Sequence, residues 1–116
     1  MAEPVVERHQ LAGLDERERG FNRPVEIRQE PDGWRASLRY EAALICGDPR
    51  AVQAEALPSL VALLQRRGYR QLKTQLSFQD GSYQGSRHAW VEYPDPEPEA
   101  PAEGLWQWLR RWLGRS

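Results

Sequence analysis

The chain has 116 residues, with 16 basic against 17 acidic side chains. That length allows one small domain with tails, and the near-neutral balance excludes the global positive field that marks many nucleic-acid-binding proteins. Its single cysteine, Cys46, excludes an internal disulfide framework and fits a reducing cytoplasm. No apolar run of about 18 residues occurs, so we expect no bilayer-spanning segment. The first stretch, MAEPVVERHQ, lacks the pattern of a secretory signal peptide.

The first segment, residues 1–21, shows no regular hydrophobic period. Leu11 and Leu14 are scattered among charged residues, and Gly13 and Gly20 interrupt any helical spacing. We therefore expect residues 1–21 to form a mobile, disordered N-terminal arm, or a short helix docked loosely on the domain.

Two alternating segments joined by a turn signal follow. Val25 and Ile27 alternate with charged residues, and EPDG at residues 30–33 joins a proline that presets φ to a glycine that admits positive φ. This pattern predicts a β-hairpin with one apolar face and one charged face. The apolar positions of its second strand are Trp34, Ala36, Leu38 and Tyr40.

Residues 47–68 carry a helical pattern. Asp48 suits the N-cap and Pro49 suits the first helical position. Pro58 lies inside the segment and removes one backbone hydrogen bond, so we expect a kink, or a short turn followed by a helix over residues 57–67. The predicted apolar stripe comprises Val52, Ala56, Leu57, Leu60, Val61 and Leu64.

A second hairpin is predicted after the helix. Residues 72–78 alternate again, Asp80 and Gly81 form a turn signal, and residues 87–93 fit a returning strand. The order strand, strand, helix, strand, strand predicts an α+β domain over residues 22–94. One small antiparallel sheet of two hairpins would carry the helix on one face.

One part of this pattern resembles a known family. The run DGWRASL, the following CGDP, and the helix with Glu55, Ala56 and Leu57 resemble the first half of HicB-type antitoxin domains. There, too, a hairpin leads through Gly-Asp into a helix, so the resemblance implies a similar half-fold. After the helix, GYRQLKTQLSF begins a longer strand and hairpin than that family usually has.

Catalytic and metal signatures are weak. Cys46 and His88, each on a predicted strand, would need hydrogen-bond contact and a third orienting group to act as nucleophile and base. Adding His9 does not reach the four clustered ligands of a structural metal site. No glycine-rich phosphate motif precedes a helix. We therefore expect a non-enzymatic protein with no catalytic residues, metal or cofactor.

A basic segment with interleaved aromatic residues spans residues 66–88. Arginine and lysine neutralise phosphates, and aromatic rings offer bases a stacking surface. If Gln71, Lys73, Gln75 and Ser77 line an open sheet face, single-stranded RNA could lie across it. The mixed charges of the first hairpin fit an ordinary solvated face equally well. The candidate nucleic-acid contacts are Arg66, Arg67, Arg70, Lys73 and Arg87.

The C-terminal part combines a spacer with an amphipathic segment. Residues 95–103 are rich in proline and acidic residues, which predicts an extended linker. Residues 104–116 read GLWQWLRRWLGRS; at about 100° per residue, their six large apolar side chains fall within an arc of about 160°. We predict an amphipathic helix there. The candidate docking residues are Leu105, Trp106, Trp108, Leu109, Arg110, Arg111, Trp112 and Leu113.

Three surfaces could bury the apolar side of this predicted helix: the protein's own domain, a groove of a partner protein, or a membrane surface. Tryptophan favours the membrane interface, and arginine on the opposite side suits anionic headgroups. We expect a small non-enzymatic adaptor, recruited to a membrane surface or a larger protein assembly. It would act in the cytoplasm, peripherally at the inner face of a membrane. The alternative is a small nucleic-acid-binding regulator that uses residues 66–88.

Overall fold

A computed structural model describes residues 4–96 of the chain. This part contains seven β-strands, a short 3₁₀ helix and one α-helix. The elements, in chain order, are β1 (Val5–Leu14), β2 (Gly20–Glu30), β3 (Gly33–Tyr40), β4 (Ala43–Cys46), the 3₁₀ helix (Gln53–Glu55), α1 (Ala56–Arg66), β5 (Arg70–Gln79), β6 (Ser82–Tyr83) and β7 (Val91–Tyr93).

All seven strands belong to one antiparallel sheet with the order β4-β3-β2-β1-β5. Strands β6 and β7 both pair with the outer edge of β5: β6 lies opposite Phe78 and Gln79, and β7 lies opposite residues 72–74. Strand β1 occupies the middle and pairs with β2 on one side and β5 on the other. The strands before the helix are therefore joined to those after it through β1.

The predicted fold class, an α+β domain of two hairpins joined by a helix with a disordered N-terminal arm, is wrong. The molecule is mostly a seven-stranded antiparallel sheet with one short helix, and the residues assigned to the arm contribute its central strand. The first hairpin does not pair with β5, because β1 lies between them. The predicted C-terminal helix lies outside the described residues.

Strand β1 was not predicted because its sequence is largely polar. Glu7, Arg8, His9 and Gln10 are all partly buried, although their residue types are those of an exposed segment. Because β1 has a strand on each side, its polar side chains find partners there and in the segment before α1. A hydrophobic period is therefore not needed to keep it in the sheet.

The first predicted hairpin is confirmed as β2 and β3, with Glu30 opposite Gly33 at the turn. Gly33 has φ +133°, and a Cβ built there would lie 2.5 Å from the carbonyl oxygen of Arg50. This close approach lets the backbone groups of Trp34 and Arg50 exchange hydrogen bonds of 2.7 and 2.9 Å. The glycine therefore ties the segment before the helix to the sheet.

The helix is present in the second of the two expected forms, with a short turn before it, and it does not begin at Asp48 and Pro49. Its first residue is Ala56, and the preceding segment pairs with β3 through Arg50 instead of continuing the helix. Pro58 falls in the first turn, where a backbone N–H has no partner within the helix. Of the predicted stripe, only Val52 is exposed, because it precedes the helix.

The core lies between α1 and the sheet. Helix α1 packs mainly across β3. Burying its apolar stripe contributes about 1.5–3 kcal/mol for each large side chain. The buried core residues are Leu11, Val25, Ile27, Ala36, Leu38, Ile45, Ala56, Leu57, Leu60, Val61, Leu64, Tyr69 and Leu72.

The second hairpin differs from its prediction in the returning strand. The turn at Asp80 and Gly81 is present, with φ +54° and +78°. The returning strand is divided into β6 and β7. After β6, the backbone N–H of Gln84 donates a 2.8 Å hydrogen bond to the Ser77 carbonyl. The chain then leaves the sheet and pairs again from Val91.

We predict that Gly33→Ala lowers the free energy of unfolding by about 2–3 kcal/mol, because the new Cβ both meets the Arg50 carbonyl and requires a φ that alanine avoids. Urea denaturation with a shared m-value measures the loss. Gly20→Ala is the matched control: a Cβ at Gly20 has no atom within 4 Å, so its stability should stay within about 0.5 kcal/mol of wild type. Equal stability of the two variants would contradict the role assigned to Gly33.

Candidate functional site

The sheet has one covered face and one open face. Residues opposite each other in antiparallel strands point to the same side, so the register assigns each side chain to a face. Helix α1 covers the face that carries Val25, Ile27 and Leu38, and no helix within residues 4–96 packs on the other. We call this other side the open face; its residues are Arg8, Gln10, Ala12, Pro24, Glu26, Arg28, Arg35, Ser37, Arg39, Leu44, Cys46, Lys73, Gln75 and Phe78.

A charged cluster lies at the centre of the open face. One nitrogen of Arg8 lies 3.0 Å from Oε2 of Glu26, and one nitrogen of Arg28 lies 2.9 Å from Oε1. Burial by itself raises the pKa of the Glu26 carboxyl, but the hydrogen bonds and charges of the two guanidinium groups outweigh burial and lower that pKa. The carboxylate therefore stays ionised, and the cluster keeps one net positive charge.

Two cations lie over aromatic rings on or beside this face. The Arg8 guanidinium carbon lies 5.5 Å from the centroid of Phe78, and Nζ of Lys73 lies 4.9 Å from the ring of Trp90. Such contacts contribute about 0.5–1 kcal/mol each at exposed sites. Arginine combined with aromatic side chains is also the composition that distinguishes interface centres from ordinary protein surface.

The predicted nucleic-acid contacts are not brought together. Lys73 lies on the open face, opposite Ala12. Arg66 and Arg67 lie at the end of α1, on the opposite side of the sheet. Arg70 forms an ion pair with Glu18, and Arg87 lies in the loop between β6 and β7. The basic group that the fold does assemble includes Arg8, which sequence reasoning missed because its strand was interpreted as an arm.

A cleft of about 640 Å³ lies at one corner of the sheet, where β1 and β7 end and β2 and β5 begin. We call it the corner cleft. Ala12 and Gly20 line its open-face side, and a Cβ built on Gly20 meets no atom within 4 Å. Phe21 and Tyr93 supply apolar walls, and Glu92 adds a carboxylate. The cleft thus has room for large side chains without displacement of its walls.

The chain leaves the described body at the corner cleft. Oδ1 of Asp95 accepts a 2.8 Å hydrogen bond from the backbone N–H of Gln71, and the carbonyl of Pro94 accepts one of 3.0 Å from the Gln65 side chain. Residues 71, 94 and 95 all line the cleft. The start of the predicted linker, residues 95–103, is therefore attached to the cleft wall, and residues 97–103 lie outside the described residues.

A buried carboxylate organises the turn between β1 and β2. Asp15 is 1% exposed and accepts hydrogen bonds of 2.9 Å from the backbone N–H groups of Arg17 and Arg19, 2.9 Å from Nε of Arg19 and 2.7 Å from the Tyr40 hydroxyl. Burial acts to raise its pKa, but these donors outweigh burial and lower the pKa from 3.8 to about 2. With every strong acceptor position used, Asp15 joins the turn to β3 and has no lone pair directed at a ligand.

The candidate catalytic pair is not formed. Cys46 lies on β4 at one edge of the sheet, whereas His88 lies in the loop beyond the other edge. Nε2 of His9 lies 2.9 Å from the Glu7 carboxylate, also on β1. Within the described part of the chain, no three His, Cys, Asp or Glu side chains group as a metal site.

The membrane prediction concerns residues that the structure does not describe. No helix in residues 4–96 is long and apolar enough to cross a bilayer. The candidate docking residues between Leu105 and Leu113 lie outside the described residues, so their helix stays a prediction.

Comparison with known proteins adds no relative. No family model matches the chain, and neither the search of curated proteins nor the search of solved structures found a match. The likeness to HicB-type domains therefore stays a resemblance of one hairpin and one helix.

We predict that Asp15→Asn destabilises the protein at neutral pH and flattens the acid limb of its stability profile. Because the folded pKa of about 2 lies below the ordinary 3.8, the carboxylate contributes stability above pH 3.8 that is lost as pH falls toward 2. Urea midpoints at several pH values between 2 and 7 measure this. Glu16→Gln, which removes an exposed charge from the same turn, should keep the wild-type profile. If both variants follow the same profile, the role given to Asp15 is wrong.

Proposed function

We propose that this protein is a small non-enzymatic adaptor, recruited to a membrane surface or a larger protein assembly by its Trp-rich C-terminal segment, residues 104–116. The observation that carries the proposal is the complete separation of six large apolar side chains from the arginines in that segment. The attachment of residues 94–95 to the body supports it, because the linker then begins at a defined point. In an extended conformation, residues 96–103 would reach roughly 25 Å.

The expected binding is weak and reversible. Half-burying six large apolar side chains contributes on the order of 5–9 kcal/mol. Ordering the segment costs about 1 kcal/mol or more per residue, partly offset by helix hydrogen bonds. A segment of this kind recruits the protein to a surface without anchoring it permanently.

An anionic membrane is the first surface to test. Tryptophan rings favour the boundary between headgroups and acyl chains, and each arginine near anionic lipid contributes about 1 kcal/mol. Arg110 and Arg111 occupy the polar side of the predicted helix. The protein would then act peripherally, at the inner face of a membrane, with the open face directed to a second partner.

The open face is suited to an acidic partner. Arg8 and Arg28 share one carboxylate, and Arg39 is exposed beside them. Because Glu26 and its two arginines hold each other in place, a binding partner would meet ordered side chains and would lose less entropy in fixing them.

A second candidate function, a nucleic-acid-binding regulator, is favoured by one specific observation. Arg8 lies over Phe78 and Lys73 lies over Trp90, so cations and rings alternate on the open side of the sheet. Single-stranded nucleic acid uses both groups, phosphate on the cations and bases on the rings. Of the residues selected from the sequence, Lys73 would carry this function and Arg66 and Arg67 would not.

We predict that the full chain floats with phosphatidylcholine–phosphatidylglycerol vesicles and not with phosphatidylcholine alone. Leu109→Asp should weaken this binding about tenfold or more, because it places a carboxylate in the apolar arc. Gln107→Asp adds the same charge to the polar side and should change binding far less. If wild type does not float, the membrane part of the proposal is wrong, and pull-downs with residues 104–116 test the assembly part.

The second candidate predicts that wild type binds single-stranded oligouridine at low salt, measured by fluorescence anisotropy. Lys73→Gln should then weaken binding several-fold and reduce the slope of log affinity against log salt by about one. Arg66→Gln, which removes the same charge from the other side of the sheet, should leave both quantities unchanged. An absence of binding by wild type at low salt would eliminate this function.

A further inference from the structure

We propose that the corner cleft is a docking site for the protein's own C-terminal segment, residues 104–116, which is held there until a membrane or partner competes for it. The inference rests on the proposed function of that segment as an amphipathic docking element. It adds a regulatory step, because recruitment would then require release of the segment from the body.

The point where the chain leaves the body supports this occupant. The hydrogen bond between Gln71 and Asp95 and the one between Gln65 and Pro94 hold residues 94–95 at the cleft wall. Residues 96–103 then separate this wall from the segment. A short tether of this kind gives an effective concentration on the order of millimolar, which favours a weak intramolecular contact over most partners in solution.

The size and lining of the cleft suit large apolar side chains. Its volume of about 640 Å³ falls within the range of about 300–1,000 Å³ found for small-molecule sites. Ala12 and Gly20 leave space on one side, and Phe21 and Tyr93 offer aromatic contact on the other. One or two tryptophan rings would fit there, with the remaining apolar side chains against the rim.

The charges of the cleft and the segment are complementary. Three charged residues line the cleft, Glu92, Asp95 and Lys73, so its lining carries one net negative charge, and neither carboxylate forms an ion pair within residues 4–96. The segment brings Arg110 and Arg111 on its polar side. Docked with its apolar arc in the cleft, the segment would place these arginines near the acidic rim.

The test is a variant that fills the cleft without straining the fold. Gly20→Arg adds a long side chain where a Cβ meets no atom within 4 Å, and its charge opposes the arginines of the segment. Ala54→Arg is the matched control, since it adds the same side chain at an exposed position of the 3₁₀ helix, away from the cleft. Amide hydrogen exchange of residues 104–116, followed by mass spectrometry in the absence of lipid, reports whether the segment is protected.

We expect the segment to exchange about tenfold more slowly in wild type and Ala54→Arg than in Gly20→Arg. Leu109→Asp, which leaves the body unchanged, should remove the protection as well, so the test survives if Gly20→Arg fails to fold. The proposal would be overturned if the segment exchanged at the same rate in wild type, in Gly20→Arg and in Leu109→Asp. Protection that rises with protein concentration would also overturn it, because the segment would then dock on a second copy.

Flotation of the same proteins with phosphatidylcholine–phosphatidylglycerol vesicles separates this inference from the proposed function. Docking predicts that Gly20→Arg binds vesicles several-fold more tightly than wild type. If Gly20→Arg loses protection but no protein floats, the docking site stands and membrane recruitment fails. If wild type floats but its segment is unprotected without lipid, recruitment stands and the docking site fails.

Discussion

The antiparallel pairing of β1 with two neighbours is the interaction on which the rest of the structure depends. Val5–Leu14 pairs with β2 on one side and with β5 on the other, and no other strand joins the first half of the described chain to the second. Glu7 of β1 lies opposite Gln79 of β5, so this pairing closes a loop that contains most of the described residues. Such non-local pairing slows folding relative to helical proteins of similar size. The chain loses the entropy of closing a long loop before the contacts that compensate for this loss can form.

A polar central strand is stable here because its side chains are satisfied on both faces. On the covered face, Glu7 accepts hydrogen bonds from His9 and from Gln53 of the 3₁₀ helix. On the open face, Arg8 binds Glu26, and its backbone carbonyl accepts a 3.0 Å hydrogen bond from the Ser77 hydroxyl. Gln53, Glu26 and Ser77 come from three other elements, so their contacts order the sheet as well as satisfying β1.

This arrangement bears directly on function. Because α1 covers one face and the central strand is fixed by its neighbours, the open face and the corner cleft are held as ordered surfaces of one rigid sheet. The proposed adaptor separates two tasks: the body supplies those surfaces, and the C-terminal segment supplies attachment. The hydrogen bonds at residues 94–95 connect the two tasks, since they determine where on the body the linker to the segment starts.

The amino-acid sequence by itself determined the elements whose signals are local. The β2–β3 hairpin follows from alternation around a Pro-Asp-Gly turn, and the buried side of α1 follows from its apolar spacing. The turn at Asp80 and Gly81 follows from residues that tolerate positive φ. For the candidate site, sequence reasoning placed Lys73 and Gln75 on an open face, where the register also places them, but it added Ser77, which is buried. It also grouped Lys73 with arginines that the fold places elsewhere.

Only the tertiary structure decided that β1 is a strand, that Arg8 joins Glu26 and Arg28, and that residues 94–95 lie at a cleft. Each depends on partners distant in the sequence: Glu26 for Arg8, Gln71 for Asp95, and β5 for β1. A period of two or of 3.6 residues reports how one segment meets an apolar core. It does not report a polar strand whose burial is balanced by charges and hydrogen bonds from other segments, and for that physical reason the centre of this sheet was invisible before the fold was known.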